Sequence, residues 1–173
     1  MSPAMPALIH RILAGVLTVL AGHAAVAAQT EWPISPSRTQ LPTPYGNLHV
    51  ANNEYVYESR LQIDDADVDP LVRGILNITY AFSTPNSHAA LVSINTGNNG
   101  CPYTYRWVVL EKSGYKVSPE FGSCSDQIKV TAKGRRLTML TPSAHTPDKV
   151  DVYIYDGKTL KHRSTQSTED KKR

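Results

Sequence analysis

Apolar and polar positions alternate with a period of two along most of the chain between Glu54 and His162, the pattern of half-buried β-strands. Over Glu54–Ile63, Tyr55, Tyr57, Leu61 and Ile63 fall on one face and Glu58, Arg60 and Gln62 on the other. Over Ile75–Ser83 the alternation predicts Leu76, Ile78, Tyr80 and Phe82 together, with Asn77 and Thr79 opposite. Ala89–Thr96 is a shorter strand. Tyr103–Lys112 carries Tyr103, Tyr105, Trp107 and Val109 on one face and Val108 and Leu110 on the other, a pattern compatible with cover on both sides.

Turn signals separate the later strands. Ser113-Gly114 divides Tyr103–Lys112 from Tyr115–Phe121, Lys133-Gly134 divides Gln127–Ala132 from Arg136–Thr141, and Asp156-Gly157 divides Val150–Tyr155 from Thr159–His162. Glycine accepts the positive φ of tight hairpins, and Asp-Gly is a strong hairpin signal. Consecutive hairpins predict an all-β fold: an antiparallel, sandwich-like meander. Asp67–Gly74 is the one stretch compatible with a short helix or turn, and Pro70 limits it.

The cysteines agree with this register. Paired positions in a hairpin have a constant sum, about 226 for a turn centred near Ser113. Cys101 and Cys124 add to 225 and so fall nearly opposite each other, within cross-strand reach of a disulfide.

The ends differ from this core. Arg11 precedes the apolar run Ile12–Ala21, which leads into the small residues Ala24–Ala28. That order marks residues 1–28 as a secretory signal peptide. The run is roughly half the ~20 apolar residues of a membrane span, so no transmembrane segment is expected in the mature form. Pro33, Pro36, Pro42 and Pro44 make residues 29–47 an extended leader with little regular structure. Residues 48–162 form a single β-rich domain, and the polar stretch 163–173 is expected to be a disordered, charged tail. The predicted location is periplasmic or secreted, where a Cys101–Cys124 bond persists.

The chain has a formal net charge of +3, but six basic and two acidic residues fall between Lys158 and Arg173. The basicity therefore lies at the C-terminal end, which argues against a nucleic-acid partner.

Candidate chemistry is sparse. His49, His88, His145 and His162 match no metal-ligand spacing. Asp64, Asp65, Asp67 and Asp69 could offer oxygen ligands to calcium, but they lack the glycine and glutamate of an EF-hand loop and read as a solvated turn. Ser123, Ser125, Asp126 and His145 contain no nucleophile elbow. No metal, cofactor or catalytic residue is predicted. The cysteines, unlike a redox pair, are far apart in sequence and read as a staple.

Val92-Ser-Ile-Asn-Thr-Gly97, Gly100-Cys-Pro102, Tyr105-Arg-Trp107, Glu120-Phe-Gly-Ser-Cys-Ser-Asp126 and Tyr153-Ile-Tyr-Asp-Gly157 together resemble an uncharacterised family of small exported proteobacterial proteins. The resemblance spans about Ala90 to Leu160. It implies export and the disulfide, and it brings no activity with it.

The expectation is a non-enzymatic envelope protein that binds another macromolecule, another protein in the first instance, in the manner of an inhibitor or immunity protein. The alternative is a small-ligand carrier or an enzyme with an unrecognised site. Tyr103, Tyr105 and Trp107, sharing one side of a strand beside the staple, are the candidate binding residues; the same pattern arises if this face is core, the reading preferred for Trp107.

Overall fold

The computed structural model describes residues 32–52 and 58–166. The predicted signal peptide lies outside the described residues, as do Tyr55 and Tyr57. Among the described residues there is no helix, and none is long and apolar enough to cross a membrane. The protein is all-β and antiparallel.

The centre of the fold is a meander of β5 (Arg73–Thr84), β6 (Ser87–Asn95), β7 (Tyr103–Glu111) and β8 (Gly114–Val117), with the short β9 (Phe121–Cys124) also paired to β7. β1 (Gln40–Thr43), β2 (Gly46–Asn52) and β3 (Ser59–Ile63) continue this sheet through the β3–β5 pairing, and the two-residue β4 (Ala66–Asp67) pairs with β3. A separate four-stranded sheet runs β10 (Lys129–Lys133), β11 (Arg136–Pro142), β12 (Lys149–Tyr155) and β13 (Leu160–Gln166).

Two hydrophobic cores result, one on each face of the central meander. In the first, Leu48, Val50 and Leu61 from β2 and β3 pack with Ile78, Val92, Val108 and Leu110. In the second, Leu137, Met139, Tyr153 and Tyr155 from the four-stranded sheet pack with Leu91, Tyr105, Trp107 and Phe121. β7 is therefore covered on both sides, as its two apolar faces allow. β6 behaves alike, sending Ala90, Val92 and Ile94 one way and Ala89 and Leu91 the other.

β5 departs from simple alternation. Leu76 and Ile78 enter the first core, but Tyr80 and Phe82 pack against the second. The ladder to β6 shows why. Ile78 pairs with Val92 and Tyr80 with Leu91, so Thr79 is an extra residue and the strand switches faces across a bulge. The sequence places these four side chains together because period-two counting does not register an inserted residue.

Two boundaries also move. β1 lies within the stretch read as an extended leader. Leu41 packs against the first core, and Pro42 is tolerated because β1 is an edge strand. At the other end, Arg163–Gln166 belong to β13 rather than to a tail. Ser164 donates to Asp151 and Thr165 to the Val150 carbonyl, so an edge strand forms there without an apolar stripe.

The disulfide is present between Cys101 and Cys124, with a Cα–Cα distance of 4.5 Å. β7 and β8 pair with Glu111 opposite Gly114 and Val108 opposite Val117, a sum of 225 that matches the cysteine pair. The register then shifts, and in the β7–β9 ladder Cys124 stands opposite Tyr103. Cys101 bonds it from just before β7.

Candidate functional site

The second-core face of the central meander is ordered in cross-strand rows. Phe82, Ala89 and Val109 form one row, and Tyr80, Leu91 and Trp107 the next. Then the chemistry changes. Asn77, Ser93 and Tyr105 form a third row, and Ile75, Asn95 and Tyr103 a fourth. The third row brings polar side chains onto this face, and that row together with Tyr103 borders a cleft.

The cleft has a volume of about 140 Å³ and is lined by Ser35, Asn77, Thr79, Ser93, Tyr103, Tyr105 and Asp126, among others. One wall is the segment Ser35–Ser37. Ser37 Oγ donates to Asn77 Oδ1 at 2.8 Å, and the Ile78 N–H donates to the Arg38 carbonyl at 2.9 Å. The Lys129 ammonium lies 5.2 Å from the Trp32 ring centroid, tying the same segment to β10.

Of the three aromatic residues singled out from sequence, Trp107 and Tyr105 are core. Trp107 is 0% exposed and Tyr105 1%. Trp107 thus follows the core reading, and the binding face expected on β7 is corrected at Tyr105. The four-stranded sheet closes over it, and Phe82 lies 6.3 Å from Trp107 while Phe121 links Tyr105 to Tyr153. Tyr103, the first residue of β7, is half-buried and lines the cleft. Tyr105 reaches the cleft with its polar edge, where its hydroxyl donates to the Ser125 carbonyl at 2.8 Å. Burial raises the Tyr105 phenol pKa, and the neighbouring Asp126 carboxylate pushes it further the same way.

Gly122 makes the approach of β9 possible. Its φ is +137°, and a Cβ there would lie 3.0 Å from the Tyr105 ring. The Gly122 carbonyl also accepts from the Tyr153 hydroxyl at 2.9 Å.

The four-stranded sheet has a polar row of its own, Thr141, Asp151 and Ser164. Asp151 is buried, accepts from Ser164, and lies 3.3 Å from His162 Nε2. Here the carboxylate stands between the hydroxyl and the imidazole. In a nucleophilic triad the imidazole occupies the middle, so that it can take the hydroxyl proton. Sequence reasoning did not find this group. Its signal was the Asp156-Gly157 turn, because the resulting register sets Asp151 opposite Ser164 and Tyr153 opposite His162.

The residues weighed as a hydrolase are not brought together. Ser123 is buried and bonds Thr141 and the Pro142 carbonyl, Ser125 Oγ accepts from the Gln127 N–H, and His145 stands exposed between β11 and β12.

The acidic turn is also engaged internally. Asp64 and Asp65 adopt positive φ between β3 and β4. Asp64 accepts from the Asn47 N–H, and Asp67 accepts from Arg60 and Gln62. Among the described residues no group of three His, Cys, Asp or Glu side chains is placed to hold a metal.

No protein-family model, curated protein or solved structure matches the chain.

Proposed function

We propose that this chain is an exported, non-enzymatic binding protein of the envelope that seats one side chain of a partner protein in the cleft beside Tyr103. The observation that carries this reading is the meeting of half-buried Tyr103 with Asp126 in one small cleft. Large exposed apolar side chains stand beside it. Ile75, 50% exposed, shares the cross-strand row of Tyr103, and Ile34, 96% exposed, adjoins Ser35. An aromatic ring with a carboxylate suits a Lys or Arg side chain, and apolar neighbours supply contact area around it.

The size of the cleft favours this over a small-ligand carrier. Pockets for drug-sized ligands run about 300–1,000 Å³, whereas this one, at about 140 Å³, takes a single large side chain. The Cys101–Cys124 bond suits an oxidising compartment and supports export.

The test is photo-crosslinking in the exported chain from a photoreactive phenylalanine placed at Tyr103. A discrete protein adduct is expected, and it should vanish in the Asp126→Lys background while the melting temperature holds. Adducts from a probe at Lys158 but none from position 103 would move the interface away from the cleft.

A further inference from the structure

Three hairpin turns meet at the end of the molecule opposite the disulfide, and they gather an excess of positive charge. Lys112 is on the β7–β8 turn. Lys133, Arg135 and Arg136 are at the β10–β11 turn, and Lys158 is on the β12–β13 turn. All five are exposed. The turns are in contact as well as alike. Arg135 lies 3.8 Å from Glu111 at the end of β7, and a Cβ on Gly157 would sit 3.9 Å from the Arg135 guanidinium.

The two carboxylates of this region are already engaged. Glu111 accepts from Lys116 at 2.8 Å and faces Arg135. The Asp156 carboxylate accepts the backbone N–H groups of Lys158 and Thr159 at 2.8 and 2.7 Å. Among the described residues Lys112, Lys133, Arg136 and Lys158 form no ion pair. The excess positive charge is therefore available to a partner.

Beside these cations runs an open groove of about 650 Å³, lined by Thr84, Asn86, Ser87, Lys112, Ser113 and Arg135 among others. The β5–β6 turn supplies its hydroxyl and amide groups. Tyr45 and Glu111 line it as well, the Glu111 carboxylate being held by Lys116 and facing Arg135. None of the large exposed apolar side chains, Ile34, Leu71, Ile75 or Tyr115, lines this groove.

We infer that the turn end is a binding surface for an anionic glycan, with the turn cations pairing to its carboxylate, sulfate or phosphate groups and the hydroxyl and amide side chains meeting its sugar hydroxyls. Clustered charge of one sign raises the local concentration of an oppositely charged partner. Neutral polar groups beside the cations distinguish a sugar chain from a bare polyanion. The lack of a large exposed apolar anchor disfavours a protein hot spot or insertion into a bilayer. This surface shares no residue with the cleft.

The experiment is fluorescence polarisation with a labelled heparin octasaccharide on the chain lacking its signal peptide. Poly-glutamate and a single-stranded oligonucleotide of similar charge serve as competing probes. The octasaccharide should bind tightest, and binding should weaken as salt rises. Lys133→Glu with Arg136→Glu and Lys158→Glu should weaken binding at least about tenfold, equivalent to about 1.4 kcal/mol. A control with the same charge change elsewhere, Lys129→Glu with Lys149→Glu and Arg163→Glu, should weaken it less than about threefold on the same scale. Melting curves establish that both variants fold. Equal losses in the two variants would overturn the site. Equal or tighter binding of poly-glutamate or the oligonucleotide would overturn the glycan assignment.

Discussion

Ile78 and Tyr80 are two residues apart on one strand yet face opposite hydrophobic cores. The bulge at Thr79 separates them, while their partners Val92 and Leu91 are consecutive on β6. Deleting Thr79 should therefore restore an ordinary ladder with every side chain on its present face. The variant should fold, losing on the order of 1 kcal/mol with the Thr79 hydroxyl's bond to the Leu91 carbonyl. Deleting Asn77 instead should invert one half of β5 and prevent folding. Circular dichroism and thermal melts of the two deletions check this; a folded Asn77 deletion with an unfolded Thr79 deletion would refute it.

The staple closes a loop of 23 residues in sequence separation. In the chain-entropy treatment a loop of that length contributes about 3 kcal/mol. Cys101→Ser with Cys124→Ser should lower the melting temperature clearly, and reductant should do the same to the natural chain. Unchanged melting in both would show that the bond contributes nothing.

Trp107 and Tyr103 share a strand face but differ in burial, so their truncations should separate. Trp107→Ala removes a fully buried indole and should cost about 3–5 kcal/mol. Tyr103→Ala at the half-buried strand end should cost markedly less. Denaturant titrations of the two variants measure the difference. Equal costs would place Tyr103 in the core and remove it from the cleft.

The raised Tyr105 pKa gives a signed pH dependence. A phenol that holds its proton more tightly when folded adds stability below its unfolded pKa of about 10. That contribution is lost as the pH climbs toward the folded value. Tyr153 and Tyr155, also raised chiefly by burial, add to the same trend. Melting temperature should therefore fall steeply above about pH 10. Tyr105→Phe should start lower at neutral pH, having lost the bond to Ser125, and then fall less steeply. Parallel curves for the two proteins would contradict the assignment.

Local chemistry made much of this fold legible in the sequence. Period-two alternation marked most of the strands, Gly-containing turns marked three hairpins, and the hairpin sum brought Cys101 near Cys124, although the register shifts between β8 and β9 and sets Cys124 opposite Tyr103. That both faces of β7 are apolar was readable, and double cover was compatible with it. Tertiary structure alone decided which layer covers each face. Trp107 looks the same in sequence whether its face meets solvent or a second sheet, and only the docking of β10–β13 buries it. The bulge at Thr79 was likewise invisible, since its evidence lies in the pairing with β6 and not in β5 itself. The cleft joins Ser35, Asn77, Tyr103 and Asp126, and the cationic groove joins turns from two sheets. Such sites arise where segments distant in sequence pack together, and no local period records that meeting.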